Sequence, residues 1–277
     1  MGPMAFRSHV GRGLDLGTWS NRAILGLSLT AAVAGVVGTV RFDASPWLAG
    51  QAGAVTFLTW ALTRELDPDR DSTALIVGAL AGVWAVLGFP VDLLVIGGLA
   101  IGARLVAETT GRRPLRTDLL AIAVGAIAIS FTPLRFVVGF GLAMAIYVDG
   151  RMSDQPTRDA LLASLVTATG SVAVVSFSGA FPTQLPAVQP SFVLTVAALT
   201  LVAVLREPPQ PTSVVDSRRG NLLRPDRIHA SRILVGVLMV AGSLAAGPEA
   251  SALAPVAAAL ALSLASSEAE RIIRTVR

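Results

Sequence analysis

The residues best able to do chemistry in this sequence are four carboxylates that follow an apolar segment ending near residue 63. Glu65, Asp67, Asp69 and Asp71 lie within residues 64–71. Carboxylates so close together can chelate Mg²⁺, a hard ion that prefers oxygen ligands and bridges phosphates. The alternative is a solvated, tight turn in which Asp71 places negative charge at the start of the next helix. We favour the turn, because charge runs in short loops are usually solvated.

A second acidic loop carries Asp149, Asp154 and Asp159, and it follows a later apolar segment on the same predicted side of the membrane. Two acidic loops in these positions resemble the layout of the UbiA family of polyprenyl transferases. In that family, two aspartate-rich motifs hold Mg²⁺ around an isoprenyl diphosphate. The resemblance implies a Mg²⁺-dependent lipid transferase, with Mg²⁺ as its cofactor. The metal ligands under that hypothesis are Asp67, Asp69, Asp71, Asp154 and Asp159.

Hydroxyl and amide side chains inside two apolar segments form the other candidate site. They can border a polar pathway across a membrane. The same groups can instead bond to neighbouring helices or to carbonyls of their own helix, at about 0.6 kcal/mol each. We favour packing, and both interpretations stay open. The candidate pathway residues are Gln51, Thr56, Thr59, Thr167, Thr169 and Ser171.

The composition places these groups in an integral membrane protein. The 277 residues are 53% hydrophobic and only 14% charged, with a mean hydropathy of +0.68, whereas soluble domains carry about 25% charged residues. The absence of cysteine excludes thiolate metal sites and cysteine nucleophiles. All 22 basic residues are arginines. Because they are spread between apolar segments rather than gathered on one face, they indicate membrane topology and not nucleic-acid binding.

Ten apolar segments have the length of membrane-spanning helices. We therefore predict an all-α polytopic protein with five helical hairpins and both termini on the inner side. Gly78 and Gly82 in the third segment, and Gly98 and Gly102 in the fourth, allow those two helices to approach closely. The predicted spans are 23–40, 47–63, 72–88, 91–107, 118–132, 134–148, 160–180, 190–205, 230–246 and 251–267.

The arginines decide how the long apolar stretch 118–148 divides. With ten spans, 18 arginines lie in the inner segments, Arg104 and Arg232 lie at the inner ends of their helices, and Arg41 and Arg135 lie in the outer loops. Fusing 118–148 into one helix leaves Arg135 in mid-membrane, where an unpaired arginine costs at least about 2.5 to 3.5 kcal/mol. Cytoplasmic loops are enriched in arginine, so we expect two helices here and both termini in the cytoplasm.

Five regions follow from these spans. The linker is rich in proline and arginine and is the expected place for contact with anionic lipids or a protein, beside the bilayer itself. The regions are a cytoplasmic tail 1–22, an eight-span membrane domain 23–205, a flexible cytoplasmic linker 206–229, a two-span hairpin 230–267 and an amphipathic tail 268–277.

Three classes of function are compatible with this layout. Ten short spans with both ends inside resemble the drug/metabolite transporter superfamily, which implies a small-solute carrier or permease in the cell membrane. The alternatives are a non-catalytic membrane scaffold or accessory subunit, and the Mg²⁺-dependent transferase. The sequence contains no complete catalytic motif, which favours a protein that is not an enzyme. Outside the transferase hypothesis, we expect no cofactor.

Overall fold

Helices form the regular secondary structure of the described part of the chain. The structure is a computed structural model that describes residues 8–11, 14–42, 45–153, 158–180, 187, 189–206, 211–212 and 223–276, with the backbone alone at 41–42 and 269–276. The α-helices are α1 (Trp19–Phe42), α2 (Trp47–Leu66), α3 (Asp71–Val86), α4 (Leu93–Ala107), α5 (Arg116–Ile129), α6 (Pro133–Met152), α7 (Arg158–Phe177), α8 (Pro190–Leu205), α9 (Pro225–Ala246) and α10 (Ala254–Val276). A 3-10 helix, Gly247–Leu253, joins α9 to α10.

Local signals explain where these helices begin and end. The stretch 118–148 is divided as predicted, since α5 ends at Ile129 and α6 begins at Pro133. Thr132 caps α6, where its side chain accepts a hydrogen bond from the backbone N of Arg135 at 3.3 Å. Proline suits the first turn of a helix because it has no N–H to leave unpaired. Gly88, with φ +81°, follows α3 and supplies a backbone conformation that other residues adopt at a cost.

The last two helices are longer than the sequence predicts. α9 begins at Pro225, inside the predicted linker, and Asp226 lies in its first turn. α10 runs to Val276 and so includes most of the predicted tail 268–277. An acidic residue in the first turn and an amphipathic pattern extend a helix beyond its apolar core. Apart from its first residue, residues 211–212 and 223–229, the predicted linker lies outside the described residues.

Four helices, α2, α4, α6 and α9, form the interior of the bundle. α4 packs against the other three, α2 also contacts α1, α3 and α10, and α6 also contacts α5 and α7. α8 packs mainly against α9. The ends of the four inner helices therefore come together, and any group placed there is shielded from several sides.

The glycine pairs pack differently from the prediction. Gly78 of α3 faces α2, where a Cβ would lie 2.9 Å from the carbonyl oxygen of Thr56. Gly102 of α4 faces α6, where a Cβ would lie 3.7 Å from the Cβ of Ala145. The expectation that they join α3 to α4 is wrong. A small-residue stripe permits close approach by any helix, and here α3 packs on α2 and α4 packs on α6.

Large apolar side chains cover much of the outer surface. Leu29 of α1, Leu80 of α3 and Leu194 of α8 are between half and two-thirds exposed. Within the described residues, four helical segments are long and apolar enough to cross a membrane, namely Trp19–Val40, Pro133–Met152, Arg158–Phe177 and Pro225–Glu268. Contiguous apolar surface of this kind suits a lipid environment. The all-helical fold and these four segments suggest a membrane protein.

Candidate functional site: a buried charged layer

Ionisable side chains from the ends of the four inner helices lie at one end of the bundle. They come from the last turn of α2, the last turn of α4, the last turn of α6 and the first two turns of α9. Burial of a charge is costly unless it is paired, so these groups are expected to bind one another. We call them the charged layer; its members are Glu65, Asp67, Arg104, Glu108, Asp149, Arg227 and Arg232.

Glu65 and Arg104 join α2 to α4. Glu65 is 4% exposed, and the Nε and Nη2 atoms of Arg104 both lie 2.6 Å from its Oε1. Thr109 donates to the other carboxylate oxygen. Arg104 also donates from Nη1 to the carbonyl of Val10 at 3.3 Å, which ties the N-terminal residues to the layer. The charge of Glu65 is therefore fully partnered despite its burial.

Arg227 joins α9 to α4 and α6. This side chain is 2% exposed. Its Nη1 donates to Asp149 Oδ1 at 2.9 Å and to the carbonyl of Val106 at 3.1 Å, and its Nε lies 3.2 Å from Glu108 Oε2. Glu108 caps α4 in the left-handed conformation, with φ 51°, which costs a residue other than glycine about 1 to 2 kcal/mol. The strained cap places its carboxylate against Arg227.

Asp67 and Arg232 connect α2 and α9 to α10. Asp67 is 6% exposed and accepts a hydrogen bond from Ser266 at 2.6 Å. Arg232, 3% exposed, donates from Nε to the carbonyl of Leu66 at 2.8 Å and from Nη1 to Ser267 at 3.4 Å. Burial raises the pKa of Asp67, because its desolvation outweighs the Ser266 hydrogen bond and the attraction of Arg232.

An ion pair also joins two inner helices at the opposite end of the bundle. Asp92 caps α4, and its Oδ2 accepts from Arg135 Nε of α6 at 2.8 Å. The sequence placed Arg135 in an outer loop. The side chain of Arg41, the other arginine of the outer loops, lies outside the described residues. The two ends of α4 are thus each held by unlike charges.

The predicted metal ligands are engaged in separate contacts. Asp69 accepts from the backbone N of Thr212 at 2.8 Å, and Asp159 pairs with Arg116 at 2.8 Å. Asp71 is the first residue of α3, makes no side-chain cap and pairs with Arg64. Asp154 lies outside the described residues. Across the described ranges, no three carboxylate or imidazole side chains are grouped so that they could hold a metal ion.

The predicted pathway residues lie on two helices that pack against different neighbours. On α2, Gln51 is half-buried and Thr56 donates to the carbonyl of Ala52 at 2.7 Å. On α7, Thr167 donates to the carbonyl of Ala163 at 2.6 Å, and the exposed Thr169 to that of Leu165 at 2.8 Å. These three hydroxyls bond within their own helices, as the packing interpretation expects.

Two hydroxyls of the same set behave differently. Thr59 of α2 and Ser171 of α7 are fully buried, and among the described residues neither side-chain oxygen has a hydrogen-bond partner. Buried polar groups are nearly always satisfied by protein or by ordered water. Thr59 and Ser171 are therefore the positions at which water or a solute is expected.

Sequence reasoning did not identify the charged layer as a site. It placed Arg104 and Arg232 at the inner ends of their helices and read them as topology signals. Arg227 and its partners are separated by at least 78 positions in the chain, so the pairing depends on how the helices pack. The available signal was the position of single charged residues in the first or last turn of apolar helices.

Comparison with known proteins provides no further assignment. No family model, curated protein or solved structure matches the chain. The likenesses in layout to the UbiA family and to the drug/metabolite transporters stay predictions. The functional argument therefore depends on the geometry of the charged layer and of the unpartnered hydroxyls.

Proposed function

We propose that the chain is a small-solute carrier, or a permease-like protein, in the cell membrane. The observation that carries the proposal is that buried ion pairs hold the inner helices together at one end, while Asp92 and Arg135 pair at the other. A buried ion pair adds little net stability, because desolvation offsets the attraction of the charges. Such pairs do suit a switch between two arrangements of helices. In a carrier they act as gates at the two ends of the pathway.

The unpartnered hydroxyl of Thr59 supports a pathway along α2. Thr56, Thr59 and Thr63 are buried at spacings of three and four residues, so they share one face of the helix. Gly82 of α3 packs against this face at Thr56, whereas Glu65 points to the opposite face of α2, toward Arg104 of α4. A polar face inside an apolar bundle is suited to bind a small solute through hydrogen bonds. The solute class is therefore small and polar.

The proposed topology has ten spans of alternating direction, with both termini in the cytoplasm. The arginine-rich segments 108–117 and 149–159 follow α4 and α6 at the end that holds the charged layer. Since cytoplasmic loops are enriched in arginine, this end faces the cytoplasm. The charged layer is then the inner gate, and the Asp92–Arg135 pair the outer gate.

The chain lacks cysteine, so single cysteines test the proposal without background labelling. In membranes, a Thr59→Cys variant should react with small charged thiol reagents, because a pathway admits water to it. The control is Ala61→Cys, which replaces a buried apolar residue on the other side of the same helix. Adding Arg104→Gln should open the inner gate and speed the reaction of Thr59→Cys.

Equal, negligible labelling of Thr59→Cys and Ala61→Cys, with no effect of Arg104→Gln, would contradict a carrier. That outcome favours the scaffold, since a tightly packed scaffold admits no water to α2. The Mg²⁺-dependent transferase requires Asp67, Asp71, Asp154 and Asp159 in one cleft, whereas Asp67, Asp71 and Asp159 each contact different partners. The carrier is therefore the function that we put first.

A further inference from the structure

We propose that the junction of α2, α8, α9 and α10 binds the headgroup of a zwitterionic phospholipid with a primary ammonium, of the phosphatidylethanolamine type. The inference depends on the chain lying in a membrane and is independent of the carrier proposal. It starts from two buried, opposite charges of the charged layer, Arg232 and Asp67, that face each other without a direct bond.

Arg232 has an unused donor. Its Nε and Nη1 atoms bond to Leu66 and Ser267, whereas its Nη2 is buried and has no hydrogen-bond partner among the described residues. A guanidinium has five N–H groups, and leaving a buried one unpaired is unfavourable. A phosphate oxygen is a strong acceptor for such a donor. Arg232 therefore indicates an anionic group in the ligand.

Asp67, close to Arg232, has an unused hydrogen-bond acceptor. Among the described residues, the one hydrogen bond to its side chain comes from Ser266 and reaches Oδ2. The charges of Arg232 and Asp67 act on each other, yet the two groups form no direct ion pair in the described part of the chain. A ligand with both an anionic oxygen and an N–H donor can bridge them. Arg70 and Arg206 also act on Arg232 and favour an anionic group, but a purely anionic ligand would leave the acceptor of Asp67 unused.

The surroundings indicate a lipid rather than a soluble zwitterion. Arg206, at the end of α8, donates to the carbonyl of Leu264 of α10 at 2.6 Å and lies 3.7 Å from Glu268. Directly before it, Leu201 and Leu205 of α8 are 57% and 74% exposed. A headgroup at Arg232 thus lies next to an apolar face along which acyl chains can extend.

Entry of the headgroup requires a small movement of α10. The Nη2 atom of Arg232 is closed to solvent in this structure. α8 and α10 share a limited contact, and Arg206 links their ends through its hydrogen bond to Leu264 and its ion pair with Glu268. Release of Arg206 from α10 would open a route from the lipid-facing side of α8 to Arg232.

The test compares phospholipids with identical acyl chains added to delipidated protein in detergent, with retention measured by native mass spectrometry. Phosphatidylethanolamine should be retained about tenfold better than phosphatidylcholine or phosphatidylglycerol. Loss of one charge-assisted hydrogen bond lowers affinity by about this factor. Phosphatidylcholine has no N–H for Asp67, and phosphatidylglycerol has no cation. Arg232→Gln and Asp67→Asn should each remove the preference. Arg116→Gln, which alters an exposed ion pair, should retain it.

Two outcomes would overturn the proposal. If the wild type retains the three lipids equally, no site of this kind exists. If it prefers phosphatidylglycerol and Asp67→Asn strengthens that preference, the site binds anions instead. Free phosphoethanolamine, added at the same concentration as the lipid, distinguishes a lipid site from a site for a soluble compound. Displacement of the lipid would show that the site binds the soluble compound. If Arg232→Gln does not fold, Asp67→Asn still tests the site, because it removes the negative charge that faces the ammonium.

Discussion

Arg227 is the side chain on which the charged layer depends most, because it is buried and holds carboxylates from two other helices. Arg227→Met leaves Asp149 and Glu108 without their partner. Breaking a buried ion pair in this way costs about 3 to 5 kcal/mol. We expect a clear fall in the thermal midpoint of the detergent-purified protein, measured by the fluorescence of its tryptophans.

Arg116→Met is the matched control for that substitution. Arg116 also pairs with an aspartate, Asp159, but its side chain is 85% exposed. Exposed ion pairs contribute about 0 to 1 kcal/mol. Equal effects of Arg116→Met and Arg227→Met would contradict the conclusion that burial makes the Arg227 pairs critical. Adding Asp149→Asn to Arg227→Met should recover part of the loss, because a neutral amide is less costly to bury than an unpaired carboxylate.

Asp67 should make the stability of the protein depend on pH. Because burial raises its pKa in the folded state, the protonated form favours folding. Its contribution is fully present below the ordinary aspartate pKa and is lost as the pH rises through the raised value. We therefore expect Asp67→Asn to be more stable than the wild type at neutral pH. The difference in thermal midpoint should shrink as the pH is lowered toward 4.

Other carboxylates titrate in both proteins, so the difference between them isolates Asp67. A difference in thermal midpoint that is constant from pH 7.5 to about 4 would show that the charge of Asp67 is not penalised by burial. The Ser266 hydrogen bond is retained by asparagine, whose side-chain oxygen is also an acceptor. Loss of that contact therefore does not confuse the comparison.

The residue types of the site were visible in the sequence, whereas their partners were not. Glu65 and Asp67 belong to an acidic run that the sequence marks as unusual. Arg232 was placed at the start of a helix that begins seven residues earlier, at Pro225. Which arginine meets which carboxylate depends on the packing of α9 between α4 and α6. A single sequence gives no information on that packing, so the run appeared as a metal site or a solvated turn.

At the scale of elements, the glycines of α3 and α4 distinguish tight from ordinary helix contacts. A Cβ at Gly78 would lie 2.9 Å from the carbonyl oxygen of Thr56 and 3.2 Å from Trp60 Cβ. Gly78→Ala should therefore force α3 away from α2, at about 1 to 3 kcal/mol. Thermal unfolding in detergent measures the loss. The control is Gly102→Ala, whose nearest contacts are at 3.7 Å.

Gly102→Ala should leave the thermal midpoint unchanged or raise it, since alanine favours the helix by up to about 1 kcal/mol. If Gly78→Ala were as stable as Gly102→Ala, the close approach of α3 to α2 would not hold. Each variant adds one methyl group to a glycine within an apolar helix. Their comparison therefore reports the helix contact and not helix propensity.

The helices were predictable because their signals are local. Long apolar runs, Pro133 and Pro190 at helix starts, and Gly88 after α3 set the segments to within a few residues. The start of α9 at Pro225 was missed, since its first turn carries Asp226 and Arg227 and is not apolar. The partners of each helix were not predictable. Small residues such as Gly78 and Gly98 permit close contact without specifying the neighbour.

At the scale of the whole molecule, the distribution of arginine predicts which end faces the cytoplasm. Thr117 at the start of α5 lies near the charged layer, whereas Gln189 at the start of α8 lies toward the other end; both are exposed. In intact cells, an impermeant maleimide should label Gln189→Cys and not Thr117→Cys, and both should react after lysis. Labelling of Thr117→Cys alone would invert the proposed topology. It would also contradict the rule that arginine-rich loops stay in the cytoplasm. It would then make the Asp92–Arg135 pair the inner gate.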